Sequence, residues 1–245
     1  MTVDYACHEG VAVLRLNRPE RLNAVVPALV DDLLAAFRRA AAEARVVVLA
    51  GRGRSFCAGH DLKEPVPAES VLETRARLER IQDVTRAVRD FPGVVIAAVH
   101  GYALGAGCEF ALGCDLVVAH EDARFGFPEV SVGLSVTGGI SALLPRMVGL
   151  PRAKELLLLG ERVSAQRAHE LGLINRVTTD HEKTALELAG EIASRPPVAV
   201  SLAKRVLDLG ADASLEAALA TEVDHAILTS LSGENEAPRE EFGRG

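Results

Sequence analysis

Short unbroken apolar runs alternate along this chain with longer stretches in which apolar residues recur at helical spacing. Val11–Leu16 reads as a strand, with Ala6 and Cys7 in its hairpin partner. Leu29, Leu33, Leu34 and Phe37 mark one face of a helix over Pro27–Ala44. Arg45–Ala50 is a β-branched apolar run closed by Gly51, the pattern of a parallel strand buried on both faces. A Gly-rich loop, Gly51–Gly59, follows. Glu69–Arg89 reads as a charged helix with Leu72, Leu78, Ile81 and Val88 on its apolar side. Val94–Val99 and Cys114–Ala119 are two further buried strands, with the glycines of Gly101–Gly107 between them. From about Gly138 the periodicity is helical: Ile140–Val148, Ala153–Leu159, Thr184–Ser194, Val198–Leu209 and Leu215–Leu228. Strands alternating with helices and then giving way to helices alone predict an α/β core followed by a helical C-terminal subdomain. The expected boundary falls between 1–195 and 196–245, with Pro196-Pro197 as the hinge.

Composition narrows the picture. The 245 residues are 49% hydrophobic and 25% charged, with 4% aromatics and no Trp, so one sizeable core must be built from Leu, Val and Ala. A net charge of −7, with Arg and Lys interleaved with acids, excludes a duplex nucleic-acid partner but leaves room for a local basic patch against a phosphorylated ligand. Met1–Gly10 lacks a basic-then-apolar leader, and no apolar run reaches the roughly 18 residues that span a bilayer. A cytoplasmic protein with no membrane partner is expected. The four cysteines show neither CxxC spacing nor a zinc-like pattern, which predicts reduced structural thiols and no metal site.

Candidate chemistry gathers in three places. In Gly101–Cys114 a glycine-rich apolar segment carries one ionisable residue, Glu109; a buried carboxylate is costly unless paired, protonated or used. Pairing with a buried Arg, capping of a backbone turn and catalysis all remain open for it. Gly105-Ala106-Gly107 stands where a helix would begin, so free N–H groups and the helix dipole would favour an anion or oxyanion there. Small residues would let a ligand oxygen approach the backbone. The spacing is not GxGxxG, which excludes a dinucleotide fingerprint.

The loop Gly51–Asp61 repeats the theme without the GK[ST] ending of a P-loop. Two such loops, each following a buried parallel strand, would lie at the sheet edge where ligands bind. The His60 side chain there could be a base or simply polar surface. Third, Glu129 follows Pro128, where it suits the first turn of a helix as readily as a catalytic role.

Taken in order, these elements resemble the crotonase (enoyl-CoA hydratase/isomerase) superfamily. The resemblance runs from Asn17–Ala24 through Phe56–Lys63, Gly101–Glu109 with Cys114-Asp115, Phe125–Glu129 and Val132–Leu134. It continues through Leu144–Gly149, Ala153–Gly160 and Ala168–Val177. It implies a crotonase-like ββα spiral core, an acyl-CoA thioester ligand, and a homotrimer or dimer of trimers. It implies no cofactor beyond the coenzyme A carried by the substrate. By position it implies an oxyanion hole from the backbone N–H groups of His60 and Ala106, with Glu109 as base and Glu129 as acid. Both glutamates together imply hydration of a trans-2-enoyl thioester.

The CoA and substrate contacts it implies are Arg21, Leu22, Ala58, Asp61, Leu62, Lys63, Gly105, Phe127, Leu134 and Phe242, with Arg18, Arg21 and Lys63 drawing the phosphates. The chain departs from the family at His60, at Phe127 and in Leu134–Gly139, which lacks the usual Pro-Gly. Acyl preference is therefore left open. An enoyl-CoA isomerase using one glutamate and a non-catalytic CoA-ester-binding member are the alternatives. A serine hydrolase lacks its GxSxG elbow, and metal-dependent hydration lacks a ligand cluster.

Overall fold

The structure, a computed structural model, describes residues 1–65 and 68–234. Its largest sheet has six strands in the order β1-β2-β3-β4-β6-β9. These are β1 (Val3–His8), β2 (Val11–Leu16), β3 (Val46–Gly51), β4 (Val94–Val99), β6 (Leu116–His120) and β9 (Arg176–Thr178). The hairpin β1–β2 is antiparallel and every later pairing in the sheet is parallel. A smaller sheet joins β5 (Tyr102–Leu104), β7 (Arg124–Gly126) and β8 (Arg162–Ser164). Two isolated parallel bridges, Cys57 with Ala103 and Val25 with His60, extend that second layer. Each turn of the chain thus lays a long strand in the first layer and a short extended piece in the second before a helix closes it. This is the ββα spiral that the family resemblance implies.

Side-chain alternation explains why β3 and β4 are apolar throughout. Val47, Leu49, Val95, Ala97 and Val99 face the interior of the spiral, together with the helix α1 (Pro27–Glu43). Val46, Val48, Ala50, Ile96 and Ala98 face the other way, onto Ala185 and Ala189 of the helix α7 (His181–Ala193). Covering both faces is what a central parallel strand requires. The remaining helices are α2 (Val71–Asp90), α3 (Ala106–Gly113), α4 (Ile140–Val148), α5 (Leu150–Leu159), α6 (Ala165–Glu170), α8 (Pro197–Gly210) and α9 (Leu215–Leu231). No helix among the described residues is long and apolar enough to cross a membrane.

Two elements differ from expectation. In α2 the buried stripe is Ile81, Val84 and Val88, whereas Leu72 and Leu78 are exposed. The N-terminal half of this helix overhangs the core instead of packing on it, and starts from a capping box between Ser70 and Glu73. The third strand begins at Leu116 rather than Cys114 because Asp115 engages β4 by side chain as well as backbone. Its amide donates to the Val95 carbonyl (2.9 Å) and its carboxylate accepts from the Val95 amide (2.7 Å). The same carboxylate meets Lys204 of α8 at 3.0 Å. Lys204 is nearly buried and also donates to the carbonyls of Val88, Phe91 and Gly93, so one side chain anchors α8 to the C-terminal end of α2.

Candidate active site

Because β3 and β4 are parallel neighbours, the loops that leave their C-terminal ends emerge at the same edge. The first loop turns back and threads between two other segments. On one side Cys57 donates to the Tyr102 carbonyl (2.8 Å) and Leu104 donates to Cys57 (3.0 Å). On the other, Val25 donates to the Gly59 carbonyl (2.8 Å) and Asp61 donates to Val25 (3.0 Å). In a parallel bridge those bonds use the residues flanking His60, so the His60 N–H itself points away from Val25.

The second loop arrives against the first. Gly59 takes φ +91°, and a Cβ on it would stand 2.8 Å from the Leu104 carbonyl oxygen and 3.7 Å from the Gly105 Cα. Gly105, at φ +51°, is the N-cap of α3, so Ala106 contributes the first free N–H of that helix. Neither the His60 nor the Ala106 amide donates to a backbone acceptor among the described residues. Gly107 has a plainer task than ligand approach. A Cβ there would lie 2.2 Å from the Cys57 carbonyl oxygen, so its hydrogen is what lets α3 pack against the first loop.

Both glutamates are buried beside this junction, 1% exposed at Glu109 and 8% at Glu129. Glu109 sits in the first turn of α3. Its Oε1 accepts the Thr137 amide (2.6 Å) and its Oε2 accepts the Thr137 hydroxyl (2.5 Å). Of the readings left open by the sequence, pairing with a buried Arg is not what is found; the carboxylate ties down a backbone turn. Burial pushes its carboxyl above the ordinary range, and the two Thr137 bonds pull it back.

Glu129 lies in a 3₁₀ turn, Pro128–Val132, with Oε1 3.0 Å from where a Gly105 Cβ would be. Its Oε2 is buried without a hydrogen-bond partner among the described residues. Burial raises its carboxyl too, opposed by its own amide and reinforced by the charge of Glu109. The second glutamate faces Gly105, while a Cβ on Gly138 would come 2.8 Å from that of Glu109. Glycines therefore make room for both carboxyls.

The His60 side chain is half-buried rather than lying on the open surface. It lines a groove of about 390 Å³ with Val25, Val26, Val30, Arg77 and Ile81. Burial, then the nearby charge of Arg77, holds its imidazole below the ordinary range. Ala58 donates to the Leu22 carbonyl (3.0 Å), and Asp61 draws in Arg18 (3.1 Å) and Arg21 (3.8 Å) while its other oxygen accepts the Lys63 amide (3.2 Å). Arg21, Leu22, Ala58, Asp61, Leu62 and Lys63 are thus brought to one corner. Arg18 and Arg21 share the single charge of Asp61, so this corner keeps a net positive charge, and Lys63 there has no ion pair among the described residues. Leu62 and Leu134 are exposed, as pocket walls open to solvent would be. Phe127 is 2% exposed, and its ring packs in the main core directly before Pro128 and Glu129. Phe242 lies outside the described residues. Thr137 was not singled out by the sequence, whose one signal there was the irregular loop Leu134–Gly139. Among the described residues no cluster of three or more His, Cys, Asp or Glu is placed to hold a metal ion.

A spiral of this kind, with two amides and two buried carboxyls at one sheet edge, is the crotonase-like fold. The family model for enoyl-CoA hydratase/isomerase matches residues 6–237, and the chain belongs to that family. It is 40% identical to the 2,3-dehydroadipyl-CoA hydratase of Escherichia coli, over 87% of this chain and 84% of that protein. It is 35% identical to the 1,2-epoxyphenylacetyl-CoA isomerase of the same organism, over 92% and 89%. A crystal structure of enoyl-CoA hydratase subunit I from Geobacillus kaustophilus superposes with a TM-score of 0.93 at 33% identity, covering 100% of this chain and 95% of that one.

Proposed function

We propose that the protein hydrates trans-2-enoyl-CoA thioesters to 3-hydroxyacyl-CoA. The observation that carries this is the pair of buried carboxyls in unlike environments. Glu109 receives two donors, which favour the ionised form, whereas Glu129 keeps an oxygen with no donor, which favours the protonated form. That contrast suits a base and an acid acting together.

Ionised Glu109 takes a proton from water as the water oxygen bonds to C3. The C2=C3 electrons move toward the thioester, forming an enolate oxygen that the His60 and Ala106 amides would hold. Each such donor is worth roughly 3 kcal/mol of barrier. Protonated Glu129 then gives its proton to C2, and proton exchange with solvent resets the pair. Coenzyme A arrives as part of the substrate, so no separate cofactor is needed, and Lys63 beside Arg21 and Leu22 suits its phosphates. The α8–α9 region would cover the pocket. Its exposed Leu219, Val223 and Ile227 support assembly into a trimer or a dimer of trimers. We assign the protein to the cytoplasm.

Isomerisation is the second reading, favoured by the kinship with an isomerase. It needs a base but no bound water, so a second buried carboxyl would have no task. The test is the ultraviolet loss of crotonyl-CoA absorbance with identification of the product. Conversion to 3-hydroxybutyryl-CoA supports hydration; a shifted double bond, or no reaction with crotonyl-CoA bound, rejects it.

A further inference from the structure

Glu109 makes both of its side-chain hydrogen bonds, among the described residues, to a single residue 28 positions away in sequence. Thr137 offers its amide to one oxygen and its hydroxyl to the other. The loop that presents it is held from both sides. Gly138 takes φ +59° and packs directly on the Glu109 side chain, where a Cβ would come within 3.1 Å of Oε2. The Gly138 carbonyl accepts the hydroxyl of Thr85 from α2 (3.0 Å), and the Thr137 carbonyl accepts the Ile140 amide at the start of α4 (3.1 Å). A two-point contact fixes the plane of a carboxylate as well as its position, which a single donor cannot do. Each oxygen can still accept from a second partner.

We propose that Thr137 is a positioning residue for Glu109: its amide and hydroxyl form a clamp that aims one free lone pair of each carboxylate oxygen at the reacting water. The proposal rests on the hydratase reading for its catalytic meaning. Its physical basis is separate, because the clamp favours the ionised carboxylate whatever the reaction. The titratable groups facing Glu109 are Glu129 across the site and the Cys108 thiol beside it on α3, both pushed upward by burial. From α2 the facing group is the uncharged Thr85. No Lys, Arg or His pairs with Glu109 among the described residues, so the two Thr137 bonds are what oppose its burial.

The test compares wild type, Thr137→Val and Thr137→Ser by the pH dependence of kcat/KM on crotonyl-CoA. Valine keeps the amide and the shape but loses the hydroxyl, so the acid limb should move up by about one pH unit. kcat should fall while KM changes little. Serine restores the hydroxyl and should return the wild-type profile. A valine variant whose acid limb overlays the wild type overturns the clamp.

A second readout does not need turnover: infrared difference spectra against Glu109→Gln follow ionisation of this one carboxyl. If the wild type fails to hydrate crotonyl-CoA, the hydratase reading falls. The clamp then stands if Glu109 protonates at higher pH in Thr137→Val, and falls if it does not.

Discussion

At residue 105 two requirements meet that only glycine satisfies. The backbone stands at φ +51°, and the space a Cβ would take ends 3.0 Å from the Glu129 carboxyl. Gly105→Ala should therefore destabilise the fold by about 1–3 kcal/mol through strain. By displacing Glu129 a few tenths of an ångström it should also lower kcat at least tenfold, and thermal melts with crotonyl-CoA kinetics separate the two effects.

The two carboxyls also fix a pH dependence. In the proposed hydration Glu109 acts as the ionised base, so the rate should fall as pH drops through its raised value. Glu129 acts there as the protonated acid, so the rate should fall again as pH rises through its own raised value. The profile of kcat/KM should be a bell with both limbs above the ordinary carboxylate range, its apparent values belonging to the pair. A profile flat from pH 5 to 9 would contradict the assignment. Glu109 stood out in the sequence as a lone acid in an apolar, glycine-rich segment, whereas Glu129 was singled out through the family resemblance. Thr137 was not: a threonine bears no such mark, and its role depends on a loop returning from 28 positions away.

Among the elements, β3 and β4 were readable almost to the residue, since a strand covered on both faces must be apolar at every position. The helix α2 was readable in extent but not in facing. Leu72 and Leu78 share its periodicity with Ile81, yet half of this helix overhangs the His60 groove, and no local pattern records where a core ends. Its capping box predicts that Ser70→Ala costs about 1 kcal/mol in a denaturant titration. A larger loss belongs to Lys204. Removing its charge leaves Asp115, whose side chain is about one-fifth exposed, beside three carbonyls without their donor. Lys204→Met should destabilise by about 2–3 kcal/mol, below the full value for a wholly buried pair. A change under 0.5 kcal/mol would show that α8 is held by other contacts.

For the molecule as a whole, the order of strands and helices predicted an α/β core with helices at its C-terminal end, and the spiral itself came from the family resemblance. What the pattern could not supply was the second layer. The bridges at Cys57 and His60 are single residue pairs inside loops, and short extended pieces leave no alternation to read. Those bridges are nonetheless what bring the two amides and two carboxyls to one edge. In the proposed reaction, ionised Glu109 and protonated Glu129 together add water to the enoyl thioester. The most direct test is the turnover of crotonyl-CoA by Glu109→Gln and by Glu129→Gln beside the wild type, each variant first shown to melt within a few degrees of it. Each substitution alone should lower kcat by about 10²–10⁴-fold with KM little changed. Near-normal turnover in either folded variant would contradict it.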